Sequence, residues 1–278
     1  MNDITEHRRR SFFQSDQFPV PGSPEEKLIF NGIQEKLNEQ FVKVFPDKLA
    51  ARTVVIIPSL SLDQEILSKI KGSVHYEERM LCLLMLLRMP LTNVIYVTSI
   101  PISEVIIDYY LSILPGITGY HARKRLTMIS CYDASCKPLT QKILDRPRLI
   151  KTIRQSISDP ASAHLTCYNI TSLEKTLAVQ LGIPLFGTDP DKFYEGSKSG
   201  SRKTFRAAGV NLPDGFEDLN TKEDIVKALS ALKRKYPDMR KAVLKMNDGF
   251  SGDGNAIYRF PELAVDDELE KNLAATLM

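Results

Sequence analysis

No C-x-x-C pair occurs in this chain. Its four cysteines, Cys82, Cys131, Cys136 and Cys167, stand apart, and the histidines do not sit at metal-ligand spacing beside them. That argues against zinc frameworks and disulfide-dense secreted scaffolds. Long apolar runs are missing as well. The longest, Met80 to Leu87, is ended by Arg88 and Pro90, far short of the ~20 residues that cross a bilayer. The N-terminus carries no apolar signal segment. Excess charge is small: 37 Lys and Arg against 34 Asp and Glu, net +3, too little to point to nucleic acid. The one dense basic cluster, Arg8, Arg9 and Arg10, reads as a solvated tail. There is no G-x-G-x-x-G after the first strand-like run, which leads instead into Pro58-Ser59-Leu60-Ser61, so a dinucleotide cofactor is not supported. Internal repeats and low-complexity tracts are absent too. What remains is a reduced, soluble, cytoplasmic protein whose partners are small molecules rather than nucleic acid or membrane.

What is present is a globular composition, 43% apolar and 26% charged over 278 residues, enough for two domains. Residues 1–50 read as an N-terminal segment with one helix. Ser23-Pro24-Glu25-Glu26 caps it, and it runs to about Val44 with Leu28, Ile29, Ile33, Leu37 and Phe41 on one face. Residues 51–187 alternate strand and helix. Strands are expected at Thr53–Ile57, Asn93–Thr98, Leu126–Ser130, Leu165–Asn169 and from Ile183 onward. Between them lie helices opened by Ser61-Leu62-Asp63-Gln64, from Glu77 to Leu87, from Val105 to Leu114, from Leu139 to Ile157 with a new segment at Pro147, and from Thr171-Ser172-Leu173-Glu174 to Gly182. This alternation predicts an α/β fold, a parallel sheet with helices on both faces, whose ligands would bind outside the carboxyl ends of the strands. The Gly187-Thr188-Asp189-Pro190 turn is a candidate boundary. Residues 188–278 then predict two helices, Ser201 to Ala208 and Thr221 to Lys235, with Phe205 and Ala208 facing a core. Two strands follow, Lys241–Met246 and Ala256–Phe260.

The chemistry-bearing stretch lies between those last strands: Asn247-Asp248-Gly249-Phe250-Ser251-Gly252-Asp253-Gly254-Asn255. Glycines let backbone amides converge on phosphate oxygens, and Lys245 adds a point charge at the end of the preceding strand. A wide hairpin turn accounts for Asn, Asp, Gly and Ser equally well. It does not call for three glycines, nor for a Lys ending the apolar Ala242-Val243-Leu244 run. A second stretch, Ser197-Lys198-Ser199-Gly200-Ser201-Arg202-Lys203, places cations at a helix start, where they oppose the helix dipole unless an anion also binds. The plain alternative there is a solvated loop. Upstream, Glu77 and Glu78 read as acids at a helix N-terminus with Arg79 as a local partner, and Asp133 as a turn residue behind a strand. His75 and His121 have no partner legible in the sequence.

Taken in order, Lys198 in K-S-x-S-R, the A-G-V-x-x-P of Ala208–Pro213, Lys245 and the glycine-rich loop resemble the N-terminal lobe of an ATP-grasp fold. His75-Tyr76-Glu77-Glu78-Arg79, Ser99-Ile100-Pro101-Ile102, Asp108-Tyr109-Tyr110 and Asp145-Arg146-Pro147-Arg148 are similar to the pheganomycin-type peptide ligases. Those ligases place a Rossmann-like pre-ATP-grasp domain ahead of the ATP-grasp domain. The resemblance covers roughly residues 51–260. It implies a pre-ATP-grasp sheet over 51–187 and an incomplete ATP-grasp α+β lobe over 188–278. It also implies ATP contacted by Lys198 and Lys245, and a lid made by Gly249, Ser251, Gly252 and Gly254. The reaction implied is ADP-forming amide-bond formation between a carboxylate and an amine, small molecule or peptide, through an acylphosphate. Mg²⁺ would be held by ligands beyond this stretch of chain, and no catalytic residue is assigned. Glu262, Asp266, Asp267, Glu268 and Glu270 read as solvated surface. The expectation is therefore a fragment, inactive alone, with an uncovered apolar face that favours self-association. A similar module occurs in larger IQ-motif proteins, so a non-catalytic nucleotide-binding or scaffold module is the alternative.

Overall fold

The computed structural model describes residues 18–61, 64–247, 254–260 and 268–276, without the side chains of 64–66 and 276. The chain divides into two compact units, Met1–Pro190 and Asp191–Met278. Among the described residues no helix is long and apolar enough to cross a membrane.

The first unit opens with helix α1 (Pro24–Lys43). The Ser23 hydroxyl accepts from the Glu26 amide at 3.2 Å, and the Glu26 carboxylate accepts from the Gly22 amide at 2.7 Å, so the expected cap forms. The expected apolar face forms only in part: Ile33 is buried and Ile29 packs against the core. Leu28 and Phe41 lie in solvent, 75% and 59% exposed, and the buried stripe is Glu26, Phe30, Ile33 and Gln40. Gln40 is tolerated there because its amide donates to the carbonyls of Ala161 and Ala163; a buried polar group is stable when bonded.

Five parallel strands follow: β1 (Arg52–Ile57), β2 (Thr92–Thr98), β3 (Leu126–Ser130), β4 (Ala163–Cys167) and β5 (Leu185–Phe186). Their order across the sheet is β3-β2-β1-β4-β5. Val55 pairs with Ile95 on one side and Leu165 on the other. Because side chains alternate along a strand, Val55 and Ile57 enter one core with Phe30, Ile143, Ile153 and Leu177, while Val54 and Ile56 enter another with Leu81, Leu84, Tyr96 and Ile107. Both faces are thus covered, the condition for a continuous β-branched run in a parallel sheet. The fourth strand starts and ends two residues earlier than the sequence pattern suggests.

The helices between the strands are α2 (Gln64–Lys69), α3 (Glu104–Ser112), α4 (Gly119–Arg123), α5 (Leu139–Leu144), α6 (Pro147–Ser156) and α7 (Ser172–Leu181). Pro147 starts α6, and Thr171 with Glu174 forms both halves of the capping box on α7. The Ser61-Leu62-Asp63-Gln64 box falls partly outside the described residues. One element differs in kind. Ser73–Arg88 is a 3-10 helix of 16 residues rather than an α-helix. With three residues per turn, Leu81, Leu84 and Leu87 stack on one line and are all fully buried, while Cys82 and Met85 face solvent.

The second unit contains α8 (Phe193–Gly196), α9 (Lys198–Ala207), α10 (Lys222–Lys235), the antiparallel pair β6 (Lys241–Lys245) and β7 (Asn255–Arg259), and α11 (Leu269–Thr276). Its core joins Val226 and Leu229 of α10 to Leu269 and Leu273 of α11, with Ala242, Tyr258 and Phe260 packed against them. Phe205 and Ala208 do not join it. Phe205 is 49% exposed, and the buried residues of α9 are Ser199 and Gly200 at its start. Thr221 and Asp224 form both halves of a capping box on α10. Thr221→Ala should therefore destabilise this unit by about 1 kcal/mol. Hydrogen exchange of the first turn of α10 would show it as faster exchange, and an unchanged rate would mean the cap contributes nothing.

Candidate functional site

The start of α9 and the end of β6 are held together by one residue, Asn247. Its carbonyl accepts from the Lys198 amide at 3.3 Å, and its side-chain Oδ1 accepts from the Ser199 amide at 2.8 Å. The Ser197 hydroxyl accepts from the Gly200 amide at 3.1 Å. Those three amides precede the first intrahelical bond, Ser201 N to Ser197 O at 2.9 Å, so they are the donors a helix start leaves open. Here they are already taken. The amides of this helix start are therefore not where an anion would sit; side chains and the glycine-rich loop would have to hold it.

The cations of α9 behave differently from the sequence expectation. Arg202 Nε donates to Glu217 at 2.6 Å and Arg206 to the same carboxylate oxygen at 2.7 Å, while Lys203 pairs with Asp218, which also accepts from the Tyr194 hydroxyl at 2.8 Å. Burial would raise the Glu217 carboxyl, but the hydrogen bonds from Arg206 and Arg202 prevail and hold it below the ordinary range. Arg202 and Lys203 thus need no external anion to offset the helix dipole. Lys198 and Lys245 are different. Among the described residues neither ammonium has an acidic partner.

Lys245 ends β6, in register with Asn255 of β7. Alternation along the strand puts Ala242 and Leu244 toward the protein and Lys241, Val243 and Lys245 outward. Across the ladder Val243 meets Ile257 and Lys241 meets Arg259. The outer face of the hairpin therefore carries an apolar pair, 56% and 62% exposed, with Lys245 at one end and Lys241 and Arg259 at the other. Gly254 re-enters the hairpin with φ +73°, its carbonyl accepting from the Met246 amide at 2.8 Å. The remaining lid residues named from the sequence, Gly249, Ser251 and Gly252, lie outside the described residues, as do Glu262, Asp266 and Asp267. Glu268 and Glu270 are described, and Glu270 faces Arg234 at 3.5 Å, both exposed.

Upstream, the structure gathers residues that the sequence left scattered. Glu77 is not a helix-end acid in solvent. It is buried, and its carboxylate accepts from the Ser99 amide and hydroxyl at 2.5 and 2.6 Å. Lys142, 1% exposed, donates to the Ser99 hydroxyl and to the Asp133 carbonyl, both at 2.8 Å. Arg146 locks Asp133 with an ion pair at 2.7 Å. His75 finds Glu78 at 3.0 Å, and Arg79 lies over the Tyr76 ring rather than pairing with either glutamate. Lys142 is the residue that sequence reasoning missed. The available signal was its place three residues after Leu139 on the buried side of α5.

Among the described residues no three His, Cys, Asp or Glu side chains converge to hold a metal ion. Comparison with known proteins places residues 191–275 in the IQCH-like ATP-grasp family model, so the second unit is of ATP-grasp type. The chain is 28% identical over 224 residues to IQ motif-containing protein H of Danio rerio, covering 74% of this chain and 21% of that protein. It is 24% identical over 202 residues to L-propargylglycine--L-glutamate ligase of Streptantibioticus cattleyicolor, covering 70% of this chain and 42% of the ligase. The chain thus spans less than half the length of either relative. No solved structure gives a significant match.

Proposed function

We propose that the second unit contributes the phosphate-binding part of an ATP-dependent carboxylate–amine ligase. The observation that carries this reading is the Asn247 tie. It fastens Asn247, two residues past the end of the Lys245 strand, to the first turn of α9, so two lysines that have no acidic partner among the described residues stand on elements locked to each other. Phosphoryl transfer asks a protein mainly to position the phosphates and neutralise their charge. Lys198 and Lys245 supply that charge. The outward Val243–Ile257 pair beside Lys245 offers an apolar surface for a base next to a cation for its phosphates. ATP would activate a substrate carboxylate as an acylphosphate, and an amine would displace the phosphate to form an amide. The loop of residues 248–253 would keep water from the activated carboxyl group. The ligase relative supports this chemistry, and the substrates are a carboxylate and an amine borne by small molecules or peptides.

A second reading is a nucleotide-binding module without turnover. The match to an IQCH-like ATP-grasp family and to an IQ motif-containing relative favours it. Both readings share the nucleotide, so that is tested first. Titration calorimetry with a non-hydrolysable ATP analogue should show Lys245→Ala binding about tenfold more weakly than the unaltered chain, the loss expected for one charge-assisted hydrogen bond. Equal affinity would remove the site from this hairpin. Release of ADP and phosphate dependent on an added carboxylate and amine then separates ligase from binding module.

A further inference from the structure

The two edges of the parallel sheet are treated differently. At the β5 edge the outward backbone of Leu185 is taken. Its amide donates to Gln34 Oε1 at 2.7 Å, and its carbonyl accepts from Gln34 Nε2 at 3.0 Å. One side-chain amide of α1 thus stands in for a further strand, a cover that keeps an edge from pairing with another chain. The β3 edge carries no such cover. Among the described residues no strand pairs with its outer side.

The ladder fixes which groups of β3 point outward. The Val94 amide donates to the Arg125 carbonyl at 2.9 Å, and the Cys131 amide donates to the Thr98 carbonyl at 2.8 Å. In a parallel pair alternate residues bond to the same neighbour, and the register from Val94↔Leu126 to Thr98↔Ser130 is unbroken. Leu126, Met128 and Ser130 therefore present their amides and carbonyls away from the sheet. None of the usual guards stands among them: Leu126-Thr127-Met128-Ile129-Ser130 holds neither a charge nor a Pro, and Thr127 is exposed. Just past the strand, Tyr132 is 81% exposed and held at φ +52°. A large aromatic in solvent on a backbone that L-residues rarely adopt is not explained by packing within the chain.

We propose that β3 pairs antiparallel with β3 of a second copy of this chain, joining the two sheets across a two-fold axis at Met128. Such an axis sets Met128 opposite its own copy and Leu126 opposite Ser130, so each outward amide meets an outward carbonyl. It also sets Lys124 opposite the copy's Tyr132, since both lie four residues from the axis. Lys124 already lies over its own Tyr120 ring at 4.3 Å, and the copy's Tyr132 brings a second aromatic face to the same ammonium. A foreign strand could take the backbone groups, but it would give Tyr132 and Lys124 no such match. Closed two-fold pairing is also the commonest assembly of like chains. Every residue involved belongs to the first unit, so the proposal stands apart from the nucleotide reading.

Sedimentation velocity on the whole chain tests it, and a concentration-dependent dimer is expected. Met128→Pro puts a ring where the on-axis amide was and costs no bond to β2, because that amide faces outward; edge strands accept Pro at such a place. This variant should sediment as a single chain. Should it fail to fold, Tyr132→Gly decides. Gly relaxes the positive φ, so the melting temperature of the separate chains should not fall, while the dimer dissociation constant should rise about tenfold from the loss of two symmetry-related cation–ring contacts. A single-chain mass for the unaltered protein at its highest soluble concentration, or an unchanged dissociation constant in either folded variant, would overturn the proposal.

Discussion

Acidification toward pH 4 should remove about 3 kcal/mol of stability from the first unit through one side chain, His164. It sits on β4, buried between the rings of Phe45 and Phe186 at 5.2 and 6.0 Å, with Arg52 as its charged neighbour. Its Nδ1 has no hydrogen-bond partner among the described residues. Burial first, and the Arg52 charge second, push its pKa down from 6.5 to about 4. The folded form therefore holds a neutral imidazole while the unfolded chain takes up a proton below 6.5. The stabilising contribution is complete above 6.5 and is lost as the pH falls through 6.5 toward 4, since protonation then favours the unfolded state. A depression of that size corresponds to about 3 kcal/mol. His164→Phe keeps the aromatic cluster and removes the proton site. Urea midpoints measured from pH 7 to pH 4 should fall more steeply in the unaltered chain than in His164→Phe, and parallel curves would refute the assignment.

The neighbouring strand β1 was legible in the sequence. Its β-branched run, Thr53 to Ile57, announces a strand buried on both faces because that is a property of five consecutive residues. The caps at Ser23, Thr171 and Thr221 are legible for the same reason: donor and acceptor lie within three residues. The 3-10 helix was not legible, since leucines spaced by three at 81, 84 and 87 also fit the apolar stripe of an α-helix. The buried face of α1 was misread because Gln40 is satisfied by carbonyls more than 120 residues away. The Glu77–Ser99–Lys142 network joins three elements that only the folded sheet brings together. At the candidate nucleotide site, Lys245 and its strand were readable as an anomaly in an apolar run. The Asn247 tie and the acids that neutralise Arg202 and Lys203 were not, because each bond spans 15 or more residues.

Gly200→Ala should disable the start of α9 and, with it, the proposed nucleotide site. A Cβ at Gly200 would stand 1.8 Å from the Tyr194 carbonyl oxygen and 2.6 Å from its carbon. Both are backbone atoms, so no side-chain rotation relieves the clash and the first turn of α9 must move away from α8. That movement strains three bonds at once: the Ser197 cap on Gly200 and the two amide contacts to Asn247. Overpacking of this kind costs about 1–3 kcal/mol and loss of a cap about 1 more. Gly209 gives the matched control. It closes the same helix at φ +69° with nothing within 4 Å of an added Cβ, so Gly209→Ala meets only the left-handed backbone penalty of about 1 kcal/mol. The two variants should also separate in function. Gly209→Ala should leave affinity for the ATP analogue near that of the unaltered chain, while Gly200→Ala, by shifting Lys198 and Asn247, should weaken it about tenfold or more, in line with the loss of one charged contact. Equal affinities in the two glycine variants would mean that the start of α9 has no part in holding the nucleotide, and that Lys245 acts with residues other than Lys198.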